Sequence, residues 1–130
     1  MFKKFFILKE ANQRLPYVKK IVGEILEKGQ RLRTLMAAVQ DEAAVFAGEH
    51  VSDEIEVLMA ELEALGCFYK DWNFQIGLVD FPAKIEGEEV LLCWKSDEPE
   101  ILWYHSMEDG YAGRRPLPAE WLLGDAFKNS

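Results

Sequence analysis

Apolar positions in the first half of the chain recur at helical spacing. From residue 15 to residue 46, small or apolar residues alternate at intervals of three and four, which is the spacing of a coiled-coil seam. Pro16 suits the first turn of such a helix, because its missing N–H group is not needed there. The pattern therefore predicts a helix over residues 16–47. With Gly29 and Ala43 counted as small members, its seam is Leu15, Val18, Val22, Ile25, Gly29, Leu32, Met36, Val39, Ala43 and Phe46.

A second, shorter apolar pattern follows. Residues 48–50 (Gly-Glu-His) interrupt the first helix, and Ser52 is placed to cap a new one whose first turn is acidic. Gly66 is placed to end that helix as a C-terminal cap. Residues 52–65 are therefore predicted to form a second helix, antiparallel to the first. Its apolar seam is Val51, Ile55, Leu58, Leu62 and Leu65.

The two predicted helices differ in length. At 1.5 Å per residue, residues 16–47 extend for about 48 Å and residues 52–65 for about 21 Å. The second helix therefore leaves most of the first seam uncovered, and a row of exposed aliphatic side chains of that length is an interaction surface. We hypothesise a homodimer through the first helix, with Val18, Val22, Ile25 and Leu32 as interface residues. The alternative is that this seam packs on the sheet of its own chain.

The second half of the chain has the composition of β-strands. Residues 75–85, 89–95 and 100–106 are rich in β-branched, aromatic and leucine residues, and turn-forming residues separate them. They predict a three-stranded antiparallel meander, to which residues 68–72 add a short edge strand. Pro82 inside the first strand predicts an edge or a bulge, because proline cannot donate to a ladder. Helices would cover one face of this sheet and residues 117–127 the other.

The two patterns together predict an α+β fold in a single domain, residues 1–130. A long antiparallel helical hairpin (residues 1–66) packs with a small three- to four-stranded antiparallel meander (residues 67–130). The 49% of hydrophobic residues excludes a disordered chain. No apolar run is long enough to span a membrane, and the N-terminal apolar stretch is too short for a signal peptide, so a cytoplasmic location is expected.

Charge is distributed unevenly along the chain, whose net charge is −8. Residues 1–50 hold nine basic and six acidic residues, a balance of +3, whereas residues 51–130 hold six and seventeen, a balance of −11. Opposed halves can attract each other within one chain or between copies, but charge patterning alone favours solvated faces that keep the protein in solution. The acidic total argues against nucleic acid as a partner, since binding it requires many phosphate contacts. A homodimer, an unidentified protein or a small anionic ligand remain as partners.

Two polar residues stand among the apolar residues of the predicted sheet. Asp80 is flanked by apolar residues, and His105 ends the third predicted strand. His105 can pair with Asp80 or Glu98 as an acid–base dyad, or these groups can serve a purely structural role. A weaker option is metal binding through His105, Asp80 and Cys93. Cys67 and Cys93 match no zinc or redox spacing, so buried thiols are expected.

A glycine-rich loop completes the candidate site. Residues 109–116 (DGYAGRRP) place Arg114 where it can hold a carboxylate or phosphate through two bonds. The alternative is that this arginine pairs with the acidic second half of the chain. Trp103 and Tyr111 are aromatic residues suited to line a pocket, or else belong to the core. Asp80, His105, Arg114, Trp103 and Tyr111 form the predicted ligand site, and no catalytic residue, cofactor or metal ion is assigned.

Several of these segments resemble one known family. GLVDFPA at residues 77–83, LLCW at 91–94, WYH at 103–105 and GYAGRRPL at 110–117 are similar to a family of small uncharacterised bacterial proteins, domain of unknown function 2203. The resemblance covers about residues 5–117 and implies membership without an activity. We therefore hypothesise a non-enzymatic binding or assembly protein that self-associates through its first helix. The alternative is a small-molecule- or anion-binding protein, or a small enzyme, with a site around Asp80, His105 and Arg114.

Overall fold

A computed structural model describes residues 2, 4–38 and 40–122 of the chain. In this part of the chain two long helices precede a five-stranded antiparallel sheet, which confirms the predicted α+β fold. The sheet has more strands than the three or four predicted, because residues 115–116 pair with residues 103–104 as a short further strand. None of the described helices is both long and apolar enough to cross a bilayer. The helices are α1 (Leu8–Ala37) and α2 (Glu42–Leu65). The strands, adjacent in chain order, are β1 (Phe68–Tyr69), β2 (Leu78–Ile85), β3 (Glu88–Lys95), β4 (Trp103–Ser106) and β5 (Arg115–Pro116).

The turn of the helical hairpin lies earlier in the chain than predicted. It lies between Ala37, where α1 ends, and Glu42, where α2 begins. Asp41 caps α2 by accepting the N–H groups of Ala43 and Ala44 at 2.9 and 3.4 Å. Ser52, the predicted cap, lies inside α2, whereas Gly66 ends α2 in the left-handed conformation as predicted. Gly48, predicted as a break, is buried inside α2.

Gly48 is buried because the two helices approach each other there. A Cβ atom at this position would lie 3.7 Å from Leu32 Cδ1 and 3.8 Å from Leu35 Cβ, both on α1. Glycine inside a helix costs about 1 kcal/mol relative to alanine, and α2 continues through Gly48 despite that cost, although a methyl group here would make only ordinary contacts with α1. The sequence interpretation of Gly48 as a helix end was therefore wrong.

The first helix also begins earlier than predicted. It starts at Leu8, so Pro16 lies inside α1 and not in its first turn. Proline removes one hydrogen bond from a helix interior. The apolar face of α1 is buried both before and after Pro16 in the chain, and this burial maintains the helix. Ala11, Leu15 and Val18 on that face are each at most 3% exposed.

The two helices have similar lengths, so the predicted overhang is absent. The 30 residues of α1 and 24 of α2 extend for about 45 and 36 Å. Val18, Val22 and Ile25, predicted to form a dimer interface, belong to the core of their own chain and are at most 1% exposed. They are unavailable to a second copy, and the alternative, packing on the chain's own sheet, is what the structure shows. Leu32 is half-buried against the same core.

The two faces of the sheet have different environments. Phe81 of β2 pairs with Leu92 of β3, and both lie in the core with the helices. Leu117 and Trp121, predicted to cover the opposite face, also belong to this core, and residues 123–127 lie outside the described part of the chain. The opposite face is covered by the loop between β4 and β5, which includes a short 3-10 helix, Tyr111–Gly113.

Pro82 lies where β2 has no full neighbour on one side. The pairing of β1 with β2 ends at the pair Phe68–Asp80, so it does not reach Pro82. The carbonyl oxygen of Pro82 instead accepts a hydrogen bond from the Phe6 N–H group at 2.7 Å. Because the N–H and C=O groups of a strand residue point the same way, the missing N–H of Pro82 faces away from β3. Pro82 therefore leaves the hydrogen bonds between β2 and β3 intact. It lies on the side of β2 that β1 does not reach, which is a local edge, as predicted.

Candidate functional site

Three polar side chains meet on the face of the sheet that points away from the helices. Asp80 of β2 is the cross-strand partner of Cys93 of β3, and His105 extends from β4 on the other side of β3. One ligand atom of each side chain, an oxygen, a sulfur and a nitrogen, lies within 4.8 Å of the others. All three residues are at most 4% exposed. We call these residues the Asp–Cys–His cluster.

His105 is held by both of its ring nitrogens. Its Nε2 lies 3.2 Å from Asp80 Oδ1, and its Nδ1 lies 2.8 Å from the carbonyl oxygen of Ser106. Hydrogen bonds to Asp80, then to Cys93 and Ser106, raise the pKa of His105 to about 10, against the opposing effect of burial. Without a bound ion, the imidazole is therefore protonated at neutral pH and donates from both nitrogens. Of the two carboxylates considered from the sequence, Asp80 is the partner.

The arrangement differs from that of a cysteine nucleophile activated by histidine. In such a relay, one ring nitrogen takes the thiol proton while the opposite nitrogen is held by a carboxylate. Here the carboxylate of Asp80 lies at Nε2, on the same side of the ring as the cluster, and a backbone carbonyl occupies Nδ1. The geometry matches metal-binding histidines, whose second nitrogen donates to a carbonyl that fixes the ring.

Arg114 is engaged by the chain's own carboxylate. Its Nη1 donates to Glu98 Oε1 at 3.1 Å, and its Nη2 bonds to the other oxygen of Glu98. The guanidinium also lies 4.6 Å from the ring of Trp103 and 5.0 Å from that of Tyr111. The two charged side chains are 13% and 14% exposed. This is the predicted alternative in which the arginine pairs with the acidic half of the chain.

This ion pair lies directly beside the cluster. Arg114 Nη1 is 3.9 Å from Cys93 Sγ, and Glu98 Oε1 also accepts the Lys95 N–H group at 2.8 Å. The arginine thereby joins the loop after β4 to the end of β3. Trp103 and Tyr111, predicted to line a ligand pocket, lie on this arginine, and Tyr111 reaches the cleft described next.

A cleft of about 270 Å³ opens onto the Asp–Cys–His cluster. Its polar rim includes Lys70 and Glu108, two residues that the sequence analysis did not single out. The pairing of β1 with β2 and the path of the loop after β4 place them here. The remaining lining residues are Leu78, Leu91, Met107, Gly110 and Tyr111. The cleft therefore adjoins the cluster, whose three residues are themselves almost fully buried.

The fold and the cluster together define a small α+β protein with a helical hairpin on one face of an antiparallel sheet and a buried Asp–Cys–His cluster on the other. The chain belongs to the family of uncharacterized conserved proteins DUF2203, whose family model matches residues 4–117. That range includes every residue of the cluster and Arg114. No curated protein and no solved structure matches the chain.

Proposed function

We propose that this protein binds a divalent transition-metal ion of the zinc class through Asp80, Cys93 and His105. The observation that carries the proposal is the convergence of three chemically different ligand atoms, all within 4.8 Å of one another, on a buried face of the sheet. Thiolate and imidazole ligands favour zinc and its neighbours over magnesium or calcium, which prefer oxygen ligands.

The distances suit a tetrahedral ion after a small adjustment. Zinc lies about 2.0–2.3 Å from nitrogen, oxygen and sulfur ligands, which places ligand atoms of a tetrahedron about 3.3–3.8 Å apart. The Asp80 and His105 atoms already lie 3.2 Å apart, and the widest separation in the cluster is within 4.8 Å. Closing the set requires movements of about 1 Å, which are available to side-chain rotation on a fixed sheet.

The charges also suit a divalent ion. The Asp80 carboxylate and the Cys93 thiolate supply two negative charges, and neutral His105 supplies a third ligand. Binding requires that His105 lose its Nε2 proton and Cys93 its thiol proton, so the affinity falls at low pH. The Nδ1–H bond to Ser106 is unaffected and keeps Nε2 aimed at the ion.

Three protein ligands leave one position of the tetrahedron open. An open fourth position is typical of catalytic and exchangeable zinc sites, whereas structural sites have four protein ligands. The cleft that Lys70, Glu108 and Tyr111 line is also lined by the three proposed ligand residues. The observations favour this proposal over direct binding of an anion, because His105 and Arg114 are already paired with Asp80 and Glu98.

Cobalt provides the test, because Co²⁺ replaces zinc and absorbs visible light. Chelator-treated protein titrated with Co²⁺ should develop the intense d–d bands of a tetrahedral site and a thiolate-to-cobalt charge-transfer band, saturating at one ion per chain. Cys93→Ala should lose the charge-transfer band. Cys67→Ala is the matched control, because Cys67 is also a buried free thiol but is not part of the cluster. Absence of the band in the wild type, or its persistence in Cys93→Ala, would contradict the proposal.

The proposal includes a cytoplasmic location. Cys67 and Cys93 are free thiols, and reduced cysteines accord with a reducing compartment. A reducing environment also keeps Cys93 available as a metal ligand. Fractionation of cells that express the untagged chain, followed by immunodetection, tests this point; recovery in an extracytoplasmic fraction would refute it.

A further inference from the structure

The end of the helical hairpin carries an exposed apolar groove. Gly29 of α1 packs against Phe74, and Leu32 and Leu35 of α1 lie beside Gly48 of α2. There a groove of about 300 Å³ separates the two helices, and we call it the tip groove. Its apolar lining residues are Leu32, Leu35, Met36, Ala44, Val45 and Gly48.

Several apolar side chains at this end of the hairpin are open to solvent. Met36 is 62% exposed and Val45 is 44% exposed, and both line the groove. Phe46, the next residue of α2, is 75% exposed. Large exposed apolar residues that adjoin one another mark an interaction site more often than isolated ones do.

The two helices beside the groove carry opposite charge. α1 has seven basic and three acidic residues, a balance of +4, whereas α2 has seven acidic residues and no lysine or arginine, a balance of −7. Toward this end of the hairpin these charges include Arg31 and Arg33 on α1 and Glu42 and Glu49 on α2. Of these residues Glu49 lines the groove, and Arg33 donates to the carbonyl oxygen of Asn73 at 3.2 Å. Among the described residues, Arg31, Glu42 and Glu49 form no ion pair.

We infer that the tip groove binds the tip groove of a second copy of this chain, with α1 of each copy against α2 of the other. A patch with one basic and one acidic helix is complementary to itself after a two-fold rotation, which is the requirement of an isologous dimer. The like-charged alternative, α1 against α1, is repelled. A partner of uniform charge would match one helix and repel the other.

This interface differs from the one predicted from the sequence. It uses Leu32 but none of Val18, Val22 and Ile25, which are buried in the monomer. In the dimer, Met36 and Val45 pack near the two-fold axis and the charged residues surround them, giving an apolar centre and a polar rim. The inference is independent of the metal proposal, because the groove and the cluster share no residue.

Sedimentation velocity of the full-length chain over a range of concentrations tests the dimer. The wild type should dimerise reversibly, and Val45→Glu should raise the dissociation constant at least about 100-fold, since a carboxylate is then buried twice per dimer. Val57→Glu is the matched control, because Val57 is on the same helix, is 61% exposed and does not line the groove. It should leave the dissociation constant within about twofold of the wild type.

Charge reversal tests the arrangement of the helices. Glu42→Lys with Glu49→Lys makes both helices basic at the tip, and Arg31→Glu with Arg33→Glu makes both acidic. Each double variant alone should be largely monomeric, and an equal mixture should form a heterodimer, because every α1–α2 contact is then between opposite charges. A monomeric wild type, an equal effect of Val57→Glu, or a mixture that stays monomeric would overturn the inference.

Discussion

Replacing Arg114 separates a structural role for this residue from a ligand-binding role. In Arg114→Ala, the Glu98 carboxylate loses both bonds from the guanidinium but keeps its bond from the Lys95 N–H group. Its side chain is 14% exposed, so water replaces little of what is lost. Removing one partner of a buried ion pair costs about 3–5 kcal/mol. Because one hydrogen bond remains, we expect a loss of about 3 kcal/mol in the free energy of unfolding.

The neighbouring arginine provides the matched control. Arg115 lies 3.8 Å from Asp109, with side chains 61% and 50% exposed. An exposed pair of this kind contributes between zero and about 1 kcal/mol, so Arg115→Ala should have a small effect. Urea unfolding followed by circular dichroism measures both variants. With a slope of about 1.5–2 kcal/mol per molar, Arg114→Ala should lower the midpoint by about 1.5–2 M.

A double variant tests the physical reason for this loss. Adding Glu98→Ala to Arg114→Ala removes the unpaired buried charge, so the double variant should be more stable than the sum of the two single losses predicts. Equal midpoints for Arg114→Ala and Arg115→Ala, or strictly additive losses in the double variant, would refute the structural role. The arginine would then be free to act on a ligand.

Further predictions concern the metal-free protein and the helices. The pKa of His105 is raised above its ordinary value, to about 10, so its pairing with Asp80 stabilises the fold fully below about pH 6.5, and this stabilisation is lost as the pH rises through 10. The urea midpoint of chelator-treated protein should therefore fall over that pH range, and the same fall in Asp80→Asn would contradict this explanation. Gly48→Ala should stabilise α2 by about 0.5–1 kcal/mol, because the added methyl group has ordinary contacts. Gly29→Ala should destabilise α1 by about 1–3 kcal/mol, because its methyl group would overlap with Phe74. Thermal unfolding of the two glycine variants compares them, and shifts in the same direction would refute the packing argument.

The fold class follows from local periodicity, but the helix boundaries do not. The spacing of three and four continues in phase from α1 into α2, so one apolar pattern included parts of two helices. The sequence interpretation missed Asp41 as the cap of α2, and it treated Gly48 as a break because glycine is unfavourable inside a helix. The overhang, and with it the predicted interface, resulted from that misplaced turn.

Only part of the candidate site could be predicted from the sequence. Alternation along a strand correctly predicts that Cys93 shares a face with Leu91, and that His105 shares one with Trp103. It does not give the register between strands, which places Asp80 opposite Cys93. The three ligands come one from each of three strands and so form no short motif. The pairing of Glu98 with Arg114 depends on the path of a loop, and the periodicity of apolar residues gives no information on that path.

Native mass spectrometry with added zinc is the measurement that decides the metal proposal. Chelator-treated wild type and Cys67→Ala should each gain the mass of one zinc ion, less the displaced protons, per chain. Cys93→Ala and His105→Gln should remain at the bare-chain mass under the same conditions, and circular dichroism should show that both variants are folded. A wild type that binds no zinc, or variants that bind it as the wild type does, would contradict the metal site at Asp80, Cys93 and His105.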